Sequence, residues 1–142
     1  MVDWFNRLRM EWAMLPNRTK SVLLVVYNGA GTYNIRSKLE QIGVDDVEVS
    51  SDGAQALEML REGRFALVIC DWFVSSMTGP QFAERVRADP GLRHMPLIMI
   101  AVETHPEALS TALQAGVSQF LTVPFDTEAL RRTVTRALTT GQ

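Results

Sequence analysis

Leu67-Val68-Ile69-Cys70-Asp71 is a run of apolar or nearly apolar residues leading straight into a carboxylate. Trp72-Phe73-Val74-Ser75-Ser76-Met77-Thr78-Gly79-Pro80 then breaks the run before an amphipathic segment begins. An uninterrupted apolar run reads as a strand buried on both faces, the habit of a parallel sheet covered by helices. The carboxyl ends of such strands are where these sheets place their chemistry. A carboxylate there is costly unless it meets solvent, a cation or hydrogen-bond donors. Asp71 therefore reads either as a loop-capping residue or as the centre of a functional site.

The bulk composition is that of one globular domain. A chain of 142 residues is long enough to bury a core without disulfides or metals, and 46% hydrophobic with 21% charged residues argues against disorder. The formal net charge of −2 gives no general attraction to nucleic acid or anionic lipid, so no direct nucleic-acid contact is expected. Cys70, the single cysteine, sits inside the central apolar run and reads as a buried, inert thiol. No apolar run reaches the length of a membrane span, and the amino terminus lacks a secretory pattern, so a cytoplasmic location is expected.

Residues 1–20 stand apart as an N-terminal extension. Trp4, Phe5, Leu8, Trp12 and Leu15 recur at helical spacing with Asp3, Arg7, Arg9 and Glu11 between them, and Pro16-Asn17 stops the pattern. Three roles fit this amphipathic helix: folding back on the domain, docking on a partner or second copy, and an interfacial membrane contact.

From residue 21 the chain alternates strand and helix. Ser21 to Val26 is the first strand, ending at the small-residue turn Tyr27-Asn28-Gly29-Ala30-Gly31, whose spacing fits no nucleotide-binding loop. Thr32 to Gln41 is the first helix, with Ile35, Leu39 and Ile42 inward and Gly43 as its exit. Val44, Val47 and Val49 form a short second strand. Asp52 and Gln55 stand at capping-box spacing before a helix whose Ala56, Leu57 and Leu60 point inward. Phe65 to Cys70 is the third strand. Thr78 caps the next helix, with Pro80 and Gln81 in its first turn, Phe82, Ala83 and Val86 on its buried face, and Asp89-Pro90 at its end. Met95 to Ala101 is the fourth strand. Thr104 and Glu107 stand at capping-box spacing ahead of a helix carrying Leu109, Ala112 and Leu113. Phe120 to Val123 forms the fifth strand, and Asp126 opens a last helix with Leu130, Val134 and Leu138 on its inner stripe. The repeated pattern argues for an open parallel sheet with helices on both faces, spanning residues 21–139, with a tail at 140–142.

Leu23-Leu24-Val25-Val26, Ser51-Asp52-Gly53-Ala54-Gln55-Ala56-Leu57, Val68-Ile69-Cys70-Asp71-Trp72, Met77-Thr78-Gly79, Met95-Pro96-Leu97-Ile98, Leu113-Gln114-Ala115-Gly116 and Pro124-Phe125 together resemble the receiver domain of bacterial two-component response regulators. The resemblance implies a doubly wound, flavodoxin-like fold of strand order 2-1-3-4-5. It also implies a phosphoacceptor Asp at the end of the third strand, here Asp71, and signalling through a face that includes Phe120 and Thr122 on the fifth strand.

The family's remaining chemistry is missing at the matching positions. The two acidic residues that share a magnesium ion with the acceptor fall on Val26 and Tyr27, or on Tyr27 and Asn28 one residue along. The hydroxyl residue at the end of the fourth strand is Ala101, the phosphate-pairing lysine is Val123, and the aromatic switch position is Phe120. Magnesium prefers an octahedral shell of oxygens, and phosphoryl transfer depends on neutralising oxygen charge. These substitutions remove the groups that do both.

The expected function is that of a stand-alone, degenerate receiver acting in two-component signalling by phosphorylation-independent protein–protein interaction, with no cofactor and no turnover. Its expected partners are a histidine kinase, a phosphotransfer protein, an output protein, another receiver or a second copy. They would read the face containing Phe120 and Thr122, or the stripe Trp4, Phe5 and Trp12. The alternative is a phosphoacceptor modified on Asp71, with magnesium held weakly. A flavodoxin-like electron carrier fits the topology alone. His94 and His105 read as surface residues, Ser75 and Ser76 lack a base, and Arg131, Arg132 and Arg136 read as a solvated helix face.

Overall fold

The computed structural model describes residues 21–27, 29–44, 46–63, 65–101 and 106–140. The predicted N-terminal helix with Trp4, Phe5 and Trp12, as well as Asn28, Thr104 and His105, lies outside the described residues. Within them, β1 (Ser21–Val25), β2 (Val47–Ser50), β3 (Phe65–Asp71), β4 (Leu97–Ala101) and β5 (Gln119–Thr122) form one sheet. The helices are α1 (Gly29–Gln41), α2 (Gly53–Glu62), α3 (Gly79–Ala88), α4 (Pro106–Ala115) and α5 (Thr127–Thr140). All pairings in the sheet are parallel and the strand order is 2-1-3-4-5, the order expected from the resemblance.

Successive strand residues point to opposite faces, so a strand between two helical layers must be apolar throughout. All five residues of β1 and all five of β4 are buried. Leu23, Val25, Val68, Cys70, Leu97 and Met99 pack on one face with Ala56, Leu57 and Leu60 of α2, Phe82, Ala83 and Val86 of α3, and Ala112 and Ala115 of α4. Val22, Leu24, Leu67, Ile69, Ile98 and Ile100 pack on the other with Ile35 and Leu39 of α1 and Leu130, Val134 and Ala137 of α5.

The helix termini show local chemistry at work. Thr78 and Gln81 form the expected capping box, with Gln81 N–H donating to Thr78 Oγ1 at 3.2 Å and Thr78 N–H donating to Gln81 Oε1 at 2.9 Å. At α2 the box is incomplete. Asp52 accepts from Ala54 N–H at 2.9 Å, while Gln55 Oε1 accepts instead from the buried Ser50 hydroxyl at 2.7 Å. A buried hydroxyl needs an acceptor, and Gln55 supplies it.

Several expected boundaries shift. Helix α1 begins at Gly29 rather than Thr32, because residues that read as a turn also serve a first helical turn, where N–H groups need no intrahelical partner. Val44 is buried below the end of α1 but outside β2, and Val49 is 38% exposed on this edge strand. Leu113 is 58% exposed, because α4 packs through the small residues Ala112 and Ala115, which turns Leu113 outward. Asp71 belongs to β3, and after it Phe73–Val74 and Met77–Thr78 form a short antiparallel ribbon where the sequence gives no strand signal.

Candidate functional site

The sheet register assembles the site. Val25 lies opposite Cys70 and Asp71 opposite Ile100, so Val26, Asp71 and Ala101 all stand at the carboxyl ends of neighbouring strands. Val123, immediately after β5, donates its N–H to the Ala101 carbonyl at 2.9 Å, which brings it to the same end. Ser50 O accepts from Val26 N–H at 3.0 Å and closes the crevice on the β2 side.

Asp71 is half-buried. Tyr27 N–H donates to its Oδ2 at 3.5 Å, the long limit of a hydrogen bond. Burial lifts the Asp71 carboxyl above its ordinary pKa, and the Tyr27 amide pulls weakly the other way. Beside it, Cys70 is fully buried, and burial together with the Asp71 charge pushes its thiol far above the ordinary range. The thiol is thus the inert core residue expected from the sequence.

Val26, Tyr27, Ala101 and Val123 present no carboxylate, aliphatic hydroxyl or ammonium to Asp71. Val26 and Ala101 are buried, Val123 is half-buried against the α1/α5 core, and Tyr27 is 62% exposed. Among the described residues no group of three or more His, Cys, Asp or Glu side chains comes together as metal ligands do. Among the described residues at the crevice, Asp71 is the one carboxylate, whereas magnesium prefers an octahedral shell of oxygens.

The segment after Asp71 is held tightly. Gly79 N–H donates to the Trp72 carbonyl at 2.5 Å, and a Cβ at Gly79 would come within 2.6 Å of the Asp71 carbonyl oxygen. Only glycine allows this approach. Ser75 N–H donates to Ser51 O and Gly53 N–H to Ser75 O, both at 2.9 Å. Ser76, at φ +82°, donates its hydroxyl to Asp52 Oδ1 at 2.5 Å. The ribbon is thereby latched to the loop after β2. It presents Phe73, 64% exposed and two residues beyond Asp71. Neither Phe73 as a surface ring nor the latch is legible in the sequence, since both depend on contacts between distant segments.

The remaining candidates separate from the crevice. Phe120 is half-buried against the α2/α3/α4 core and Thr122 is exposed. His94 is exposed. On the helix face expected to be solvated, Arg132 and Arg136 are exposed, whereas the Arg131 side chain is largely covered and pairs with Glu128, whose carboxylate also lies 3.6 Å from Arg132 Nη1.

The sequence profile of the response regulator receiver domain matches residues 28–135. Chemotaxis protein CheY-3 of Vibrio cholerae is 31% identical over 115 residues, covering 81% of this chain and 88% of that protein. The solved structure of V. cholerae CheY4 at low pH superposes with a TM-score of 0.76 at 30% identity, over 83% of this chain and 98% of that one. The receiver domain of sensor histidine kinase PA1611 from Pseudomonas aeruginosa PAO1, solved with magnesium in its active-site cleft, gives a TM-score of 0.77 at 25% identity, over 85% and 98% of the two chains. With its sheet order and the placement of Asp71, these matches show that the chain belongs to the response regulator receiver family of two-component signalling.

Proposed function

We propose that this chain is a receiver of degenerate type that signals by phosphorylation-independent protein–protein contact. One observation carries the reading: Asp71 stands at the acceptor position, and the described residues at the neighbouring strand ends, Val26, Tyr27, Ala101 and Val123, carry no carboxylate to hold a metal and no ammonium to pair with a phosphoryl group. A phosphoryl group adds close to two negative charges, and at this crevice they would face alkyl groups. Histidine kinases, phosphotransfer proteins, output proteins and other receivers are the partners that the family membership supports. Thr122, exposed on β5, and Phe120, half-buried on the same strand, are the candidates for the contact face.

A second reading has the comparisons themselves in its favour. Asp71 keeps its strand-terminal place, and the relatives include chemotaxis CheY proteins and a receiver solved with magnesium in its cleft. On that reading Asp71 accepts a phosphoryl group. Two-dimensional amide spectra recorded with and without beryllofluoride and magnesium separate the two. A phosphorylation-independent receiver leaves the amides of Tyr27, Asp71 and Ala101 in place. Shifts at these residues that vanish in Asp71→Asn establish the phosphoacceptor.

A further inference from the structure

Asp71 holds a charge in a half-buried position, and its one hydrogen bond among the described residues is the 3.5 Å contact from the Tyr27 amide. None of the ion pairs seen among the described residues reaches it. A partly desolvated carboxylate in this state gains from a cation. The donor set does not suit magnesium, which needs further oxygens. An organic cation does not need them, because guanidinium and ammonium groups bind a single carboxylate and are also attracted to aromatic faces.

Aromatic faces are what the rim supplies. Tyr27 is 62% exposed and follows β1 beside Asp71, and Phe73 is 64% exposed two residues beyond it. Together they are two of the four large hydrophobic side chains exposed among the described residues, and each belongs to the chain leaving one of the two neighbouring strands, β1 and β3, the latter ending at Asp71. Exposed apolar rings around a charged centre are the pattern of a binding hot spot, where rings exclude water from an ionic contact. Phe73 is also presented rigidly. The ribbon that carries it is held by the Ser75–Ser51, Gly53–Ser75, Ser76–Asp52 and Gly79–Trp72 hydrogen bonds, which lowers the ordering cost of binding.

We propose that the Asp71 crevice is a socket for a basic side chain of a partner protein, arginine by preference, with its cation on the Asp71 carboxylate and its flank against Tyr27 and Phe73. The planar guanidinium is the cation suited to carboxylate pairing and ring stacking at once. The inference rests on the phosphorylation-independent reading and names the chemistry of the partner.

The test uses the full chain labelled with ¹⁵N and titrated with acetyl-Gly-Arg-Gly-amide, against the glutamine-containing peptide as control. The expected result is saturable shifts of the Tyr27, Asp71 and Phe73 amides with the arginine peptide alone. They are lost in Asp71→Asn and weakened about tenfold in Phe73→Ala. Phe73 is exposed and Asp71→Asn keeps the side-chain shape, so unchanged amide positions elsewhere certify that the variants are folded. Absence of crevice shifts, shifts that persist in Asp71→Asn, or equal shifts with the glutamine peptide overturn the socket. Acetyl phosphate with magnesium, added to a peptide-free sample, reports separately on the reading beneath it. An Asp71-dependent adduct there removes phosphorylation independence, whereas failure of the arginine peptide alone removes only the socket.

Discussion

At the scale of single residues, Asp71 is a half-buried carboxyl whose ionised form burial disfavours. Its carboxyl is raised above its ordinary pKa by burial, so folding favours the protonated form. The stabilising contribution of that form is complete below the ordinary carboxylate pKa of roughly 4 and is lost as pH rises through the raised folded value. Asn at this position can still accept from the Tyr27 amide and carries no charge. Asp71→Asn is therefore expected to melt above the wild type at pH 7, with the gap closing as pH falls through the carboxylate range. Thermal melts of both proteins across pH 3–8 check it, and a wild type that is more stable than the variant at neutral pH contradicts it. Asp71 was legible as a carboxylate ending a buried apolar run, and Val26, Ala101 and Val123 through the resemblance that places the family's site residues at those positions. Phe73 was not, because nothing local distinguishes an exposed ring from one completing an apolar run. Ser76 was hidden for a related reason. A serine at positive φ is disfavoured by its own backbone, and here the hydrogen bond to Asp52, 24 residues away, accompanies that conformation.

At the scale of elements, α3 is fastened at both ends by different means. Its N-terminus has the Thr78–Gln81 capping box, which the sequence announces. Its C-terminal turn has Arg87, which the sequence does not announce. Arg87 Nε donates to Gly116 O at 2.8 Å, Nη1 to Arg93 O at 2.8 Å and Met95 O at 2.7 Å, and Nη2 to Ser118 Oγ at 3.2 Å. One guanidinium thus joins α3 to the turn after α4 and to the segments entering β4 and β5. Burial holds Arg87 below its ordinary pKa, so these acceptors offset a real desolvation cost. Arg87→Ala leaves them without their donor and is expected to cost about 2–4 kcal/mol in urea unfolding. Arg87→Lys should recover little of it, since one ammonium lacks the fork geometry. A loss below the error of the measurement contradicts this assignment. Helix α4 shows the limit of periodicity as a guide: Leu113 lies on a plausible apolar stripe, yet the small residues beside it make the closer packing surface.

At the scale of the molecule, a receiver fold sets Asp71 at the carboxyl end of its central strand, with Val26, Ala101 and Val123 at the neighbouring strand ends. Two apolar cores, the parallel order 2-1-3-4-5 and the latched segment after β3 together position Asp71. The fold was readable because buried parallel strands must be apolar throughout and each is followed by an amphipathic helix. Which residues stand at the other strand ends was readable too, while the groups that the family places there entered only through the resemblance. How a partner uses the crevice was not, because exposure of Tyr27 and Phe73 emerges only in three dimensions.

The most direct measurement is intact-mass spectrometry of the full chain after acetyl phosphate and magnesium, with borohydride added to trap an aspartyl phosphate as the stable homoserine product. A phosphorylation-independent receiver gives the unmodified mass, before and after trapping, identical to Asp71→Asn treated in the same way. A phosphoryl adduct, or conversion of Asp71 to homoserine that is absent from Asp71→Asn, contradicts it and makes Asp71 the phosphoacceptor.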